Sequence, residues 1–155
     1  MKKLILCALV VILGGLNIYS GELKQDEGKY RLADIENDRA FEKWFKNLQL
    51  LIVQNQREKV ANLVHYPLNI MIEKREMKVR SKKEFLSKYN SLITSEVKNV
   101  IINQKIKDLT VTSEGVMIGT GQMWINVLDD KEGFWITAVN NNFEKVTSKE
   151  DVLMK

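Results

Sequence analysis

The spacing of apolar side chains switches from helical to alternating near Pro67, and that switch limits what this chain can fold into. From Asp38 onward, Phe41, Trp44, Phe45, Leu48, Leu51 and Ile52 recur at intervals that line one face of a helix. Asp38 is the expected N-cap, because a carboxylate there accepts the free amide hydrogens of the first turn. A second helical stretch, Arg57 to His65, sets Val60, Leu63 and Val64 on one side. Pro67, the only proline, is expected to end it, since the residue before a proline avoids helical angles. Beyond it Leu68, Ile70 and Ile72 alternate with Asn69, Met71 and Glu73, the pattern of a half-buried strand. Helices that must bury a stripe beside strands that must bury a face make an α+β class.

The remaining pattern extends this reading. A charged turn near Lys74 and Arg75 leads to a short return strand, Met77 to Arg80. Ser81 to Glu84 reads as a capping box, with the Ser oxygen on the Glu84 amide and the Glu carboxylate reaching back to the Ser81 amide. It opens a helix whose apolar side carries Phe85, Leu86, Tyr89, Leu92 and Ile93. Residues 95–105 fit either helix or strand, with the balance toward helix. Three strands follow, Ile106 to Thr112, Val116 to Leu128 and Phe134 to Asn140, joined by turns at 113–115 and 129–133 into an antiparallel meander. Gly119 and Gly121 share a face of the long middle strand, where glycine marks a bend, a bulge or a close approach.

The first 20 residues read as an address. Lys2 and Lys3 precede an unbroken apolar run, Leu4 to Leu16, and a more polar stretch follows, which is the layout of a secretory signal peptide. The run is shorter than the roughly 20 residues that span a bilayer, so an uncleaved anchor is the weaker alternative. Cys7 sits inside the run, whereas a lipidation cysteine closes one. Cleavage after Ser20 removes Cys7 and leaves no cysteine, so a disulfide framework is impossible and about 130 residues rest on their core. The expected organisation is a signal peptide over 1–20, a flexible arm over 21–37 partly ordered near Leu32 and Ile35, one domain over 38–142, and a peripheral tail over 143–155. The expected location is periplasmic or secreted, with no stable membrane span after cleavage. Losing Lys2 and Lys3 lowers the formal charge from +4 to +2. Lys and Glu alternate, as in EKREMKVR, without a basic patch interleaved with aromatics, which argues against nucleic acid as a partner.

The helix FEKWFKNLQLLI, the VANLVHYPLNI transition, the SKKEFLSKYNSLIT helix and the EGVMIGTGQMWINV…GFWITAVNN hairpin occur in an order that resembles the NTF2-like (cystatin-like α+β cone) superfamily. It is similar in particular to small exported bacterial proteins of this fold, most of which lack an assigned activity. The resemblance covers residues 38–142 and implies N-terminal helices packed on a curved antiparallel sheet. It also implies a cavity and a tendency to homodimerise through the open sheet face. Such folds host isomerases, dehydratases and non-catalytic binding modules alike.

Two sets of residues are candidates for a site. In the enzymatic reading, a lyase or isomerase would use His65 or Asp108 as acid or base with Tyr66 or Tyr89 as hydrogen-bond donor in the cone. His65, the only histidine, is expected at a helix end, where an imidazole can interact with the last carbonyls. Asp108 shares its set with Ile106, Thr110 and Thr112, against Lys107, Leu109 and Val111, and is expected to face solvent. In the binding reading, Trp124 with Gln122 and Asn126, and Trp135 with Thr137, give a concave sheet that recognises a protein partner or a small apolar ligand. Met117 and Met123 are assigned to the opposite set as core filling. One histidine, a cysteine-free mature chain and scattered carboxylates give no zinc spacing, and Asp129-Asp130-Lys131-Glu132 lacks the ordered oxygens of a calcium loop, so no metal or cofactor is expected. The absence of an acid–base constellation favours binding over catalysis.

Overall fold

A computed structural model describes residues 28–72, 74–129 and 131–141. The expected signal peptide, Cys7, the beginning of the expected arm and the expected tail lie outside these residues. Five helices and a curved, mixed sheet of six strands make an α+β fold. The helices are α1 (Asp38–Val53), α2 (Arg57–Ala61), α3 (Lys82–Ser87), α4 (Tyr89–Leu92) and α5 (Ser95–Asn103). The strands are β1 (Val64–Ile72), β2 (Arg75–Val79), β3 (Thr110–Thr112), β4 (Gly115–Ile118), β5 (Met123–Leu128) and β6 (Lys131–Asn140). They lie in the order β2-β1-β6-β5-β4-β3, parallel only between β1 and β6. No helix of the described residues is long and apolar enough to cross a membrane.

The first helix buries the predicted stripe of Phe41, Phe45, Leu48, Leu51 and Ile52. Its cap is Asn37, one residue earlier than expected, whose Oδ1 accepts the Ala40 amide at 3.0 Å. Asp38 instead accepts the Lys29 amide at 2.7 Å, which ties the preceding segment to the helix. That segment, the described part of the expected arm, packs into the core: Tyr30, Ala33 and Ile35 are buried, while Leu32 is 62% exposed. The capping box forms with one change. Ser81 Oγ accepts the Glu84 amide at 3.3 Å, but Glu84 reaches the Arg80 amide at 2.8 Å. Lys88 and the Arg80 amide together hold the Glu84 carboxyl below its usual range.

Three segments depart from the expected elements. The second helix ends at Ala61, and Val64–Tyr66 are already strand, because Val64 pairs with Ile136 and the Ile136 amide donates to the Leu63 carbonyl at 2.9 Å. Pro67 therefore lies inside β1, after a cis Tyr66–Pro67 bond. It is tolerated because pairing to β2 begins only at Leu68, and the register with β6 is broken between Val64 and Asn69, so its missing N–H removes no ladder bond. The expected long strand is a hairpin instead. Gly119 (φ 65°) and Gly121 (φ 112°) reverse the chain between β4 and β5, and a side chain at Gly119 would run into Gln122 and Val100. The meander thus has four strands, the first shortened because Ile106–Asp108 form a 3₁₀ turn.

The reversal also settles which residues share a face. Rows of cross-strand partners run across the sheet, because partners project to the same side. One row is Ile70, Val139, Met123 and Ile118, and another is Val64, Ile136, Ile125 and Val116. All eight are buried in one core with Phe41, Phe45, Leu48, Phe85, Tyr89, Leu92 and Ile101 of the helices. The opposite face carries Lys78, Asn69, Ala138, Trp124, Met117 and Thr110 in a single row. Met117 is therefore a neighbour of Trp124, and Met123 alone fills the core.

Candidate functional site

The row through Trp124 floors an open groove of about 670 Å3 bounded by Asn69, Met71, Glu76, Lys78, Ala138 and Asn140. β2 and β1 supply Lys78 and Asn69 through direct pairing, β6 supplies Ala138, and β5 supplies the indole. A bulge between Trp124 and Ile125 shifts this part of β5 against β6, so that Trp124 pairs with Ala138. The small alanine leaves the indole uncovered on that side. Trp124 is only half-buried, and its N–H meets no acceptor among the described residues. A Cβ added at Gly121 would stand 3.8 Å from both the indole nitrogen and the Met117 sulfur. A second depression of about 460 Å3 continues along the same face and shares Asn69 and Lys78, with His65, Pro67, Asn126 and Thr137 at its far side.

The other nominated binding residues take different positions. Gln122 is buried, and its Oε1 accepts the Thr120 amide at 2.7 Å, so its carboxamide holds the hairpin turn. Asn126 bridges two elements: its Nδ2 donates to the Glu114 carbonyl at 2.6 Å, and its Oδ1 accepts from Thr137 Oγ1 at 2.5 Å. It also lies over Gly115, where a Cβ would stand 2.5 Å from its amide nitrogen. Trp135 pairs with Asn126 in register, donates its N–H to the Glu132 carbonyl at 3.2 Å, and has the Lys131 ammonium 5.5 Å from its ring. It borders a separate depression of about 530 Å3 beside Trp44, Leu63 and Phe134. The two tryptophans thus belong to different places, one whose N–H has no acceptor among the described residues and one engaged within its own hairpin.

The four residues of the enzymatic reading are divided as well. Tyr66 and Tyr89 each pack edge-on against Phe85, with ring centroids 6.4 and 5.7 Å from it. The Tyr66 hydroxyl donates to the Ala61 carbonyl at 3.0 Å, and burial with the nearby Glu58 charge pushes its pKa up to about 12. The Tyr89 hydroxyl is buried without a partner among the described residues, and burial raises its pKa against the opposing charge of Arg57, whose guanidinium sits 5.0 Å from the ring. His65 is on β1 rather than at a helix end, and it borders the opposite, groove-bearing face. Asp108 lies exposed on the 3₁₀ turn before β3. Among the described residues no group of His, Cys, Asp and Glu could hold a metal ion.

Sequence reasoning finds Trp124 but misses most of its surroundings. Asn69 and Met71 are visible as the non-core half of the alternation in β1, yet nothing local announces that β6 brings Ala138 between Asn69 and Trp124. Comparison of the chain with protein-family models, with curated proteins and with solved structures finds no significant match in any of the three.

Proposed function

We propose that this chain is an exported, non-enzymatic binding domain of the NTF2-like (cystatin-like α+β cone) kind, which recognises a protein partner through the open face of its sheet. The observation that carries the reading is the row Lys78–Asn69–Ala138–Trp124–Met117: a partly exposed indole whose N–H has no acceptor among the described residues, in a row that crosses five strands, between Met117 on one side and the small Ala138 on the other. A partly exposed tryptophan in a groove bounded by polar side chains fits a protein-recognition anchor, and methionine adapts to varied shapes. An open groove suits an extended surface better than an enclosed apolar ligand, which needs most of its area buried. The order of elements supports the NTF2-like part of the reading: two helices, a hairpin, further helices and a meander. The division of His65 and Asp108 from the tyrosine pair supports binding over turnover, since acid–base catalysis needs its groups within reach of one reacting atom.

Native mass spectrometry of the protein purified from the envelope fraction of its host tests this. A bound protein is expected, and Trp124→Ala should weaken that complex at least tenfold while the fold persists, with Trp135→Ala having the smaller effect. A bound small apolar molecule in place of a protein, or a complex indifferent to Trp124→Ala, would overturn the assignment.

A further inference from the structure

The groove ends at β2, and β2 is the open edge of the sheet. The opposite edge, β3, is packed against the Arg31–Ala33 turn, whereas β1 is the only described element paired with β2. Arg75, Glu76, Met77 and Lys78 are all exposed, and Met77 shows 46% of its surface, although it projects to the same side as the core residue Ile70. Glu76 and Lys78 project to the groove side, as their partners Met71 and Asn69 do. Neither forms an ion pair among the described residues.

We propose that β2 pairs with β2 of a second copy of this chain, antiparallel, about a two-fold axis at Met77, to join two six-stranded sheets into one. The edge is self-complementary in this register. Glu76 of each copy faces Lys78 of the other on the groove side, and the two exposed Met77 side chains cover each other on the far side. Charged edge strands ordinarily block such pairing, so the register decides the matter. Antiparallel self-pairing keeps hydrogen-bonding groups in phase only when the numbers of facing residues sum to an even value, because a one-residue slip turns the outward backbone groups and side chains to the wrong side. Centring on residue 76 sets Glu76 against Glu76, and centring on 78 sets Lys78 against Lys78. Only the axis at 77 produces opposite charges at both positions, and cross-strand opposite-charge pairs favour a sheet where like pairs oppose it. Parallel in-register stacking sets like on like throughout. The same charges therefore select a closed pair of copies and disfavour an open stack. The contact is short, so the dimer belongs to the weak, concentration-dependent class.

Sedimentation velocity over a concentration series of the full-length protein tests the register. The native chain should dimerise; Glu76→Lys and Lys78→Glu alone should each weaken the dimer at least tenfold; and the double variant Glu76→Lys/Lys78→Glu, which restores the facing pairs, should return it to the native value. Circular dichroism checks that the single variants remain folded. In a Cys7→Ser background, Met77→Cys should oxidise to a disulfide-linked dimer, since antiparallel partner Cα atoms lie about 4.5–5.5 Å apart, within disulfide reach. A native chain that stays monomeric at every concentration, three charge variants with the native affinity, or a swap that fails to rescue would overturn the proposal. A dimer lost with Trp124→Ala but indifferent to the charge variants would place the contact on the sheet face and overturn it equally.

Discussion

The two faces of the sheet are made from the same strands, yet they obey different rules. On the helix side, the rows through Ile70–Val139–Met123–Ile118 and Val64–Ile136–Ile125–Val116 are apolar and buried throughout. One residue away along each strand, the other face alternates Lys78, Asn69, Ala138, Trp124 and Met117, half-buried or exposed. Burial of apolar area drives folding and is indifferent to which partner supplies it. A partly exposed tryptophan whose N–H finds no acceptor among the described residues gains less from the folded chain than a buried core side chain. The covered face is therefore read as the source of stability and the open face as the surface kept for something outside the chain.

The sharpest break in this comparison is a pair of truncations. Phe85→Ala, which removes the ring between Tyr66 and Tyr89, should destabilise by about 3–5 kcal/mol. Trp124→Ala, a larger truncation by volume, should change stability by only about 1 kcal/mol or less. Chemical denaturation of both variants measures the contrast, and equal losses would mean that Trp124 is core. Next in size is the turn that assigns residues to faces. Gly119→Ala forces a side chain at φ 65° into Gln122 and Val100 and should cost on the order of 2 kcal/mol. Its thermal unfolding should show that loss, whereas Gly133→Ala, at φ 95° with open space around it, meets the backbone strain without the clash and should lose less.

Much of the covered face is legible in the sequence. The helical spacing of Phe41 to Ile52 and the alternation of Leu68, Ile70 and Ile72 depend on local periods that burial enforces directly. The open face is not legible, because its membership depends on a reversal and a bulge. Gly119 and Gly121 announce a bend, but a full turn between them moves Met117 beside Trp124 and removes Gln122 from its face. His65 reads as a helix end because the pattern Val60, Leu63, Val64 is helical locally, while the long-range pairing of Val64 with Ile136 overrides it. Pro67 misleads for the same reason: its exclusion from ladders holds for regular pairing, and it sits where the register breaks.

The covered face also has a pH signature, smaller than the effects of the truncations and the glycine substitution. Tyr66 ionises near 12 in the folded chain against 10.0 for a free side chain, and Tyr30 and Tyr89 are raised by burial too. A raised pKa means that the folded chain holds these protons more tightly. The resulting stability is fully present below pH 10 and is lost as pH rises from about 10 toward 12. Tyr66→Phe should soften that alkaline decline and, by losing the bond to Ala61, cost about 1 kcal/mol at neutral pH. Urea titrations at pH 8 and pH 11 check both statements, and a decline unchanged by the substitution would remove Tyr66 from it.

The central claim, that the open face meets a partner, is tested most directly by site-specific photo-crosslinking in the native host. A benzophenone side chain is placed in turn at Asn69, Met117 and Trp124 on the open face, and at Leu50 and Ile102, which are exposed on helices α1 and α5. One protein adduct shared by the three open-face positions and absent from the two helix positions is the predicted result. Adducts from Leu50 or Ile102 with none from the open face would contradict it.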